Sequence, residues 1–190
     1  MQSQKSNAWH LRDVILLTLT AIFTGVIFFG TVFLYNGLTA LLTPLGLAPF
    51  GNDLILGLWT MAAPLAACLL QKIGSATLGE ILASAVEAIL GGQWGITTLI
   101  SGFVQGFGSE LGFTFTGYKR YDMISLSLSA LMTTIVTFTW DLFRQGYAAY
   151  HPWMIIALFI TRLISIWFFG GLLVHAIVSL LERSHMLRIE

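Results

Sequence analysis

Six apolar stretches, each near the length that crosses a bilayer, fill almost all of this sequence. They run from about 13 to 42, 52 to 70, 76 to 90, 96 to 115, 123 to 147 and 153 to 181. A spanning helix needs about 20 predominantly apolar residues. Within hydrocarbon a helix also satisfies its own backbone polar groups, which loops and open strands cannot do. Composition agrees: 56% of residues are hydrophobic and only 9% charged, where soluble domains carry about 25% charged residues. Mean hydropathy is +0.83. The sequence therefore predicts an all-α integral membrane protein, a single domain over residues 1–190 built as a six-helix bundle. Zero net charge argues against nucleic acid as a partner. The single cysteine, Cys68, permits no internal disulfide. The first apolar run, residues 14–42, is too long for the core of a cleavable signal.

Turn residues divide the stretches. Pro44, Gly46 and Pro49 end the first, Lys72 and Gly74 the second, and Gly91-Gly92 the third. Lys119, Arg120 and Asp122 form a polar turn after the fourth, and His151-Pro152 separates the fifth from the sixth. Pro64 is expected to kink the second. Lys5, Arg12, Lys72, Lys119, Arg120, Arg183 and Arg188 fall on one side of a six-span topology and only Arg144 on the other. By the positive-inside rule both termini are then cytoplasmic. The outer loops become residues 43–51, 91–95 and 148–152.

Three glutamates, Glu80, Glu87 and Glu110, interrupt these apolar runs. An ionisable group at the centre of a membrane helix costs about 2.5–3.5 kcal/mol on insertion scales, so it has a partner or a task. Glu80 and Glu87 are seven residues apart and share a helix face to within about 20°. Both fall in the outer half of their span. Glu110 lies roughly 20 Å along its helix, toward the cytoplasm. An internal partner explains a buried glutamate as well as a ligand does, and Arg162, mid-way along the sixth stretch, is the available cation. Glu110–Arg162 is the expected structural pair, with Glu80–Arg162 as the alternative. Asp141 and Arg144, three apart, can pair along their own helix.

Tyr35, Trp59, Trp94, Trp140 and Tyr147 map to the same outer depth. Any interface collects such aromatics as a belt, but Trp59 sits about two turns deep, and Trp140 adjoins the acid Asp141. Asn36 and Gln93 add amides beside Tyr35 and Trp94. Carboxylates with aromatic faces suit a cationic heteroaromatic, the acid meeting amines and the π-face meeting delocalised charge. The ligand-binding set is thus Glu80, Glu87, Trp59, Asn36, Tyr35, Gln93, Trp94, Trp140 and Asp141. A phosphate on the ligand would want a cation, and the outer side offers only Arg144, which Asp141 is expected to hold, so phosphate esters are disfavoured. Small residues mark packing faces: Gly102-x-x-x-Gly106 and Gly108-x-x-x-Gly112 in the fourth stretch, and Ala21-x-x-x-Gly25 in the first. The last admits either internal packing or a partner protein.

The sequence has no phosphate-binding P-loop, no H-E-x-x-H and no G-x-S-x-G. His10, His151, His175 and His185 are scattered, so no metal site is expected. Nothing here reads as an enzyme or an ATPase. A proton-coupled permease or channel using Glu80, Glu87 and Glu110 as a relay is the alternative to a binding subunit, although no inverted repeat supports a secondary transporter.

The order and spacing of several motifs carry a resemblance. They are Leu34-Tyr-Asn-Gly37, Gly46-Leu-Ala-Pro-Phe50, Trp59-x-Met61-Ala-Ala-Pro64, Glu80 and Glu87 with Gly91-Gly-Gln-Trp-Gly95, Gly102-x-x-Gln105-Gly106-x-Gly108-x-Glu110-Leu111, and Tyr121-Asp122. Across nearly the whole chain this resembles the substrate-binding S component of energy-coupling factor (ECF) vitamin transporters, in the group linked to thiamin and its hydroxymethylpyrimidine precursor. The resemblance implies a six-helix fold in a bacterial cell membrane and an outward pocket for thiamin or a related pyrimidine. It also implies transport only with a transmembrane T component and two cytoplasmic ATPases. It further implies a small-residue contact from the first helix to the T component, a role that falls on Ala21 and Gly25. No cofactor is implied.

Overall fold

The computed structural model describes residues 8–183; Lys5, His185 and Arg188 lie outside the described residues. Eight helices follow one another: α1 (Leu11–Leu42), α2 (Ala48–Trp59), α3 (Ala62–Leu70), α4 (Ser75–Ile89), α5 (Thr97–Phe115), α6 (Met123–Arg144), α7 (Pro152–Ile166) and α8 (Val174–Arg183). A π-helical segment, Trp167–Leu173, joins α7 to α8 without a break in direction. Four runs are long and apolar enough to cross a membrane: Leu11–Leu45, Ala48–Leu70, Met123–Arg144 and Pro152–Arg183. Helix α4, with 15 residues, and α5, with 19, pack among them.

The helices close into a ring. Helix α1 packs on α2 and α4, α4 on α5, α5 on α6, and α2 on α7, while the π segment returns to α6. Apolar side chains also cover the outside: Leu19, Phe23 and Phe33 on α1, and Ile156, Ile160 and Ile164 on α7, are all exposed. An apolar surface of this extent is stable against lipid, not water. One end of the ring carries the Pro44, Pro49 and Pro152 turns, and the other carries Arg12, Lys72, Lys119, Arg120 and Arg183. At that basic end Asp122 caps α6, accepting from the Ser125 N–H at 3.2 Å. The Arg120 guanidinium beside it holds the Asp122 carboxyl down to about 2.

Several boundaries differ from the sequence reading. Helix α2 begins at Ala48, not near 52, because Pro49 occupies its first turn, where a missing N–H costs nothing. Helix α6 stops at Arg144, since Gly146 turns left-handed (φ 71°). The break in the second stretch falls at Thr60-Met61, ahead of Pro64. A proline ring clashes with the carbonyl four residues back, here that of Thr60, so the α2 ladder ends there and α3 restarts.

Close packing depends on the small-residue faces. Gly102 and Gly106 face α4, where a Cβ on Gly106 would lie 2.8 Å from the Thr77 Cα; Gly108 and Gly112 face α6. Ala21 and Gly25 are both buried, and a Cβ on Gly25 would meet the Val86 Cβ at 2.6 Å and the Ala83 carbonyl at 2.7 Å. This corrects the expected partner interface: the pair is occupied inside the molecule, seating α1 against α4.

The pairing of Glu110 with Arg162 is also corrected. Glu110 accepts from the backbone N–H groups of Gly74 (2.7 Å) and Thr77 (3.1 Å) and from the Tyr118 hydroxyl (2.7 Å). The first N–H groups of a helix lack partners within it and carry partial positive charge. A carboxylate at the start of α4 answers both, with no need of an arginine.

Candidate functional site

The α2–α3 break leaves polar backbone groups in the bundle interior, and two side chains satisfy them. Glu80 accepts from the Ala63 N–H at 2.7 Å, in the first turn of α3. Gln105, with its amide nitrogen turned toward acceptors, donates to the Trp59 carbonyl (3.0 Å) and to Glu80 Oε1 (3.2 Å). Glu80 is thus fully buried with its carboxyl group capping α3, and it does not line the cavity beside it. One heptad along the same face, Glu87 does line it.

That cavity has a volume of about 130 Å³ and lies between α1, α2, α4, α5 and α6. Tyr35, Trp59 and Trp94 form one wall, with ring centroids 5.3–5.9 Å apart. Trp59 is locked by its indole N–H, which donates to the Phe28 carbonyl at 3.1 Å. Glu87 is 1% exposed, and its Oε1 has no hydrogen-bond partner among the described residues. An unpaired buried carboxylate oxygen is costly, and here it belongs to a group facing a cavity. Ser84, Thr98, Ser101 and Thr137 supply hydroxyls around it. Trp140, Asp141, Arg144 and Gln145 complete the lining from α6 and its C-cap.

Arg162 is fully buried between two acids. Its Nε lies 2.8 Å from Asp53 Oδ1, and its Nη2 lies 2.8 Å from Asp141 Oδ2. The guanidinium also sits over the Phe138 and Tyr147 rings, 5.1 and 5.7 Å from their centroids. Helical side chains lean toward their N-terminus, which turns Arg162 toward the proline end and away from Glu110. Asp141 therefore does not pair with Arg144. Arg144 instead donates to Ser101 Oγ at 3.0 Å.

Of the predicted residues, Glu87, Trp59, Tyr35, Trp94, Trp140 and Asp141 converge on the cavity. Asn36 and Gln93 do not line it. Both are exposed and bond to each other at 3.0 Å, tying the end of α1 to the Gln93-Trp94 loop. Neither Asp53 nor Gln105 is among the expected site residues, although Gln105 stands in the Gly102–Leu111 motif. Asp53 read as the polar edge of a segment, but Pro49 moves the helix start back and puts Asp53 inside. Gln105 sits among glycines whose spacing marks a packing face, and the sequence assigns it no task.

Comparison with known proteins decides the family. A model of the permease component of the ABC-type cobalt transport system matches residues 12–136. The putative HMP/thiamine permease protein YkoE of Bacillus subtilis (strain 168) is 31% identical over 180 residues, 95% of this chain and 88% of that protein. A crystal structure of an S component of an ECF transporter matches with a TM-score of 0.88 and 30% identity, over 95% of this chain and 89% of that one. The chain belongs to the YkoE-type S components of ECF transporters. As an S component it is a substrate-binding membrane subunit of a vitamin transporter and not an enzyme.

In this S component the three glutamates of α4 and α5 divide by task. Two of them, Glu80 and Glu110, hold helix N-termini. The third, Glu87, lines the cavity, and its Oε1 is buried with no hydrogen-bond partner among the described residues. The three acids suggested as a proton relay thus have different surroundings, two at helix N-termini and one at the cavity. An aromatic wall facing a carboxylate recognises flat, electron-poor rings that carry donors.

Proposed function

We propose that this S component captures thiamin from outside a bacterial cell for uptake by an ATP-driven ECF transporter. The observation that carries the proposal is Glu87, buried with an unpaired oxygen in a cavity walled by Tyr35, Trp59 and Trp94. Glu87 accepts from the aminopyrimidine, and the aromatic wall takes the rings. Charge supports the same ligand. Glu87 and the Asp53–Arg162–Asp141 cluster, with Arg144 at the cavity edge, amount to three acids and two bases, formally one negative charge. A monocation complements that site. Hydroxymethylpyrimidine, which lacks the thiazolium charge, uses Glu87 and the aromatic wall alone and binds more weakly.

The bundle crosses the cytoplasmic membrane six times, with α2–α3 and α7–α8 each acting as one span and both termini inside. The gathering of Arg12, Lys72, Lys119, Arg120 and Arg183 at one end supports this orientation. The cavity then opens outward. A T component and two ATPases complete the transporter. The cobalt in the matching family model's description is a second reading, and the donor set weighs against it. Among the described residues no histidine or cysteine lines the cavity, and nitrogen and thiolate donors are what hold such metals best.

Reconstitution tests the proposal. Liposomes holding this chain alone should not accumulate thiamin, whereas liposomes with the T component, the ATPases and ATP should. Accumulation driven by a proton gradient through the chain alone would favour a permease instead.

A further inference from the structure

We infer that the cavity has a second polar subsite, centred on Arg144, that accepts an anionic substituent at the end of the ligand away from Glu87. The inference rests on the thiamin-type reading above and extends it to phosphate monoesters.

Three observations meet at Arg144. First, it lines the cavity, yet the acid one turn back on its own helix, Asp141, is taken by Arg162 on α7. Among the described residues Arg144 donates one hydrogen bond, to the neutral Ser101 hydroxyl at 3.0 Å, and has no ion pair. A guanidinium offers five donors in a planar fork suited to phosphate and carboxylate, so most of its capacity stays available. Second, hydroxyl and amide groups flank it, Ser101 and Gln145 both lining the same cavity. Third, there is room. A second cavity, of about 180 Å³, adjoins the first through three shared residues, Tyr35, Asn52 and Gln145. Its remaining lining, Thr39, Ala48, Pro49, Tyr147 and Tyr150, carries no charged side chain. Arg144 itself lines the first cavity next to the shared Gln145, so a substituent held there that extends past Gln145 meets no acid among the second cavity's lining residues.

The result is a polar gradient along one site. Glu87 lies at one wall to take donors, the aromatic wall takes the ring system, and Arg144 lies at the edge to take an oxyanion. An amine-bearing heteroaromatic with a phosphomonoester tail fits all three. The sign of the charge also separates this role from a structural one. Removing Arg144 takes attraction from a phosphate but takes repulsion from a cation.

The test is a pair of titrations, thiamin and thiamin monophosphate, on the purified full chain and on Arg144→Gln and Arg144→Lys. The unsubstituted chain should bind the monophosphate within about tenfold of thiamin. Arg144→Gln should weaken the monophosphate about tenfold or more, the size expected for losing a charge-assisted contact, and should tighten thiamin. Arg144→Lys should recover part of the monophosphate affinity, and raised salt should weaken the monophosphate more than thiamin. Rejection of the monophosphate by a chain that binds thiamin would overturn the inference. So would equal weakening of both ligands in Arg144→Gln, which marks a structural role. If thiamin itself fails to bind, the reading beneath the inference falls, and the inference with it.

Discussion

Asp141 gives its carboxylate to Arg162 on α7, at 2.8 Å, and not to Arg144 one turn along its own helix. That single choice sets the character of the binding end. It ties α6 to α7 through a buried charge, and with Asp53 it ties both to α2. It also leaves Arg144 at the cavity edge.

The Arg162 cluster should be stability-critical. Arg162→Met leaves Asp53 and Asp141 buried without a counter-charge, and breaking such a pair costs about 3–5 kcal/mol. Thermal unfolding in detergent should show a large fall in midpoint. Replacing all three together, with Asp53→Asn and Asp141→Asn added, should recover much of it, because the uncompensated charges are gone. A single Arg162→Met variant as stable as the parent would contradict the ion-pair role.

Glu87 and Glu80 should separate cleanly. Glu87→Gln removes a carboxylate that faces the cavity, so thiamin affinity should fall by about 1.5–3 kcal/mol with stability little changed. Glu80→Ala removes the cap of α3 and should lower stability by about 1–3 kcal/mol. Calorimetric titration and thermal unfolding on the same preparations give both numbers. The reverse pattern would exchange their roles.

Much of this was legible before any coordinates. The apolar runs gave the bundle, and the depth of Trp59 and Glu87 gave the cavity. Partner choice was not legible. Helix rise gives depth along the axis but not the angle around it, so Arg162 looked equally able to reach Glu110 or Glu80. Nor does a carboxylate in an apolar run reveal that a helix N-terminus is its partner, as it is for both of those glutamates. Asp53 was hidden for a different reason. Pro49 looked like a terminator when it stands in the first turn of α2, so the acid fell at the very edge of the 52–70 stretch.

Trp94→Ala should weaken thiamin by about 1 kcal/mol or more, since it removes one face of the aromatic wall. Trp94 is half-buried and lies in a short turn, so the fold should survive. Equilibrium titration checks the affinity and circular dichroism the helix content. Full affinity in this variant would move the ligand away from the Tyr35–Trp59–Trp94 cluster.

Gly25→Val should destabilise the isolated chain by about 1–3 kcal/mol, because its side chain would enter the space of Val86 and the Ala83 carbonyl. Thermal unfolding without any partner protein is the relevant measurement. An unchanged midpoint would return Gly25 to the role of a partner contact.

The most direct measurement is titration of the detergent-purified chain with thiamin, after dialysis to remove carried-over ligand, followed by both heat and tryptophan fluorescence. Tight one-to-one binding with quenched fluorescence, lost in Glu87→Gln, is the result expected of a cavity built from Glu87, Trp59 and Trp94. Absence of binding for both thiamin and hydroxymethylpyrimidine would contradict it.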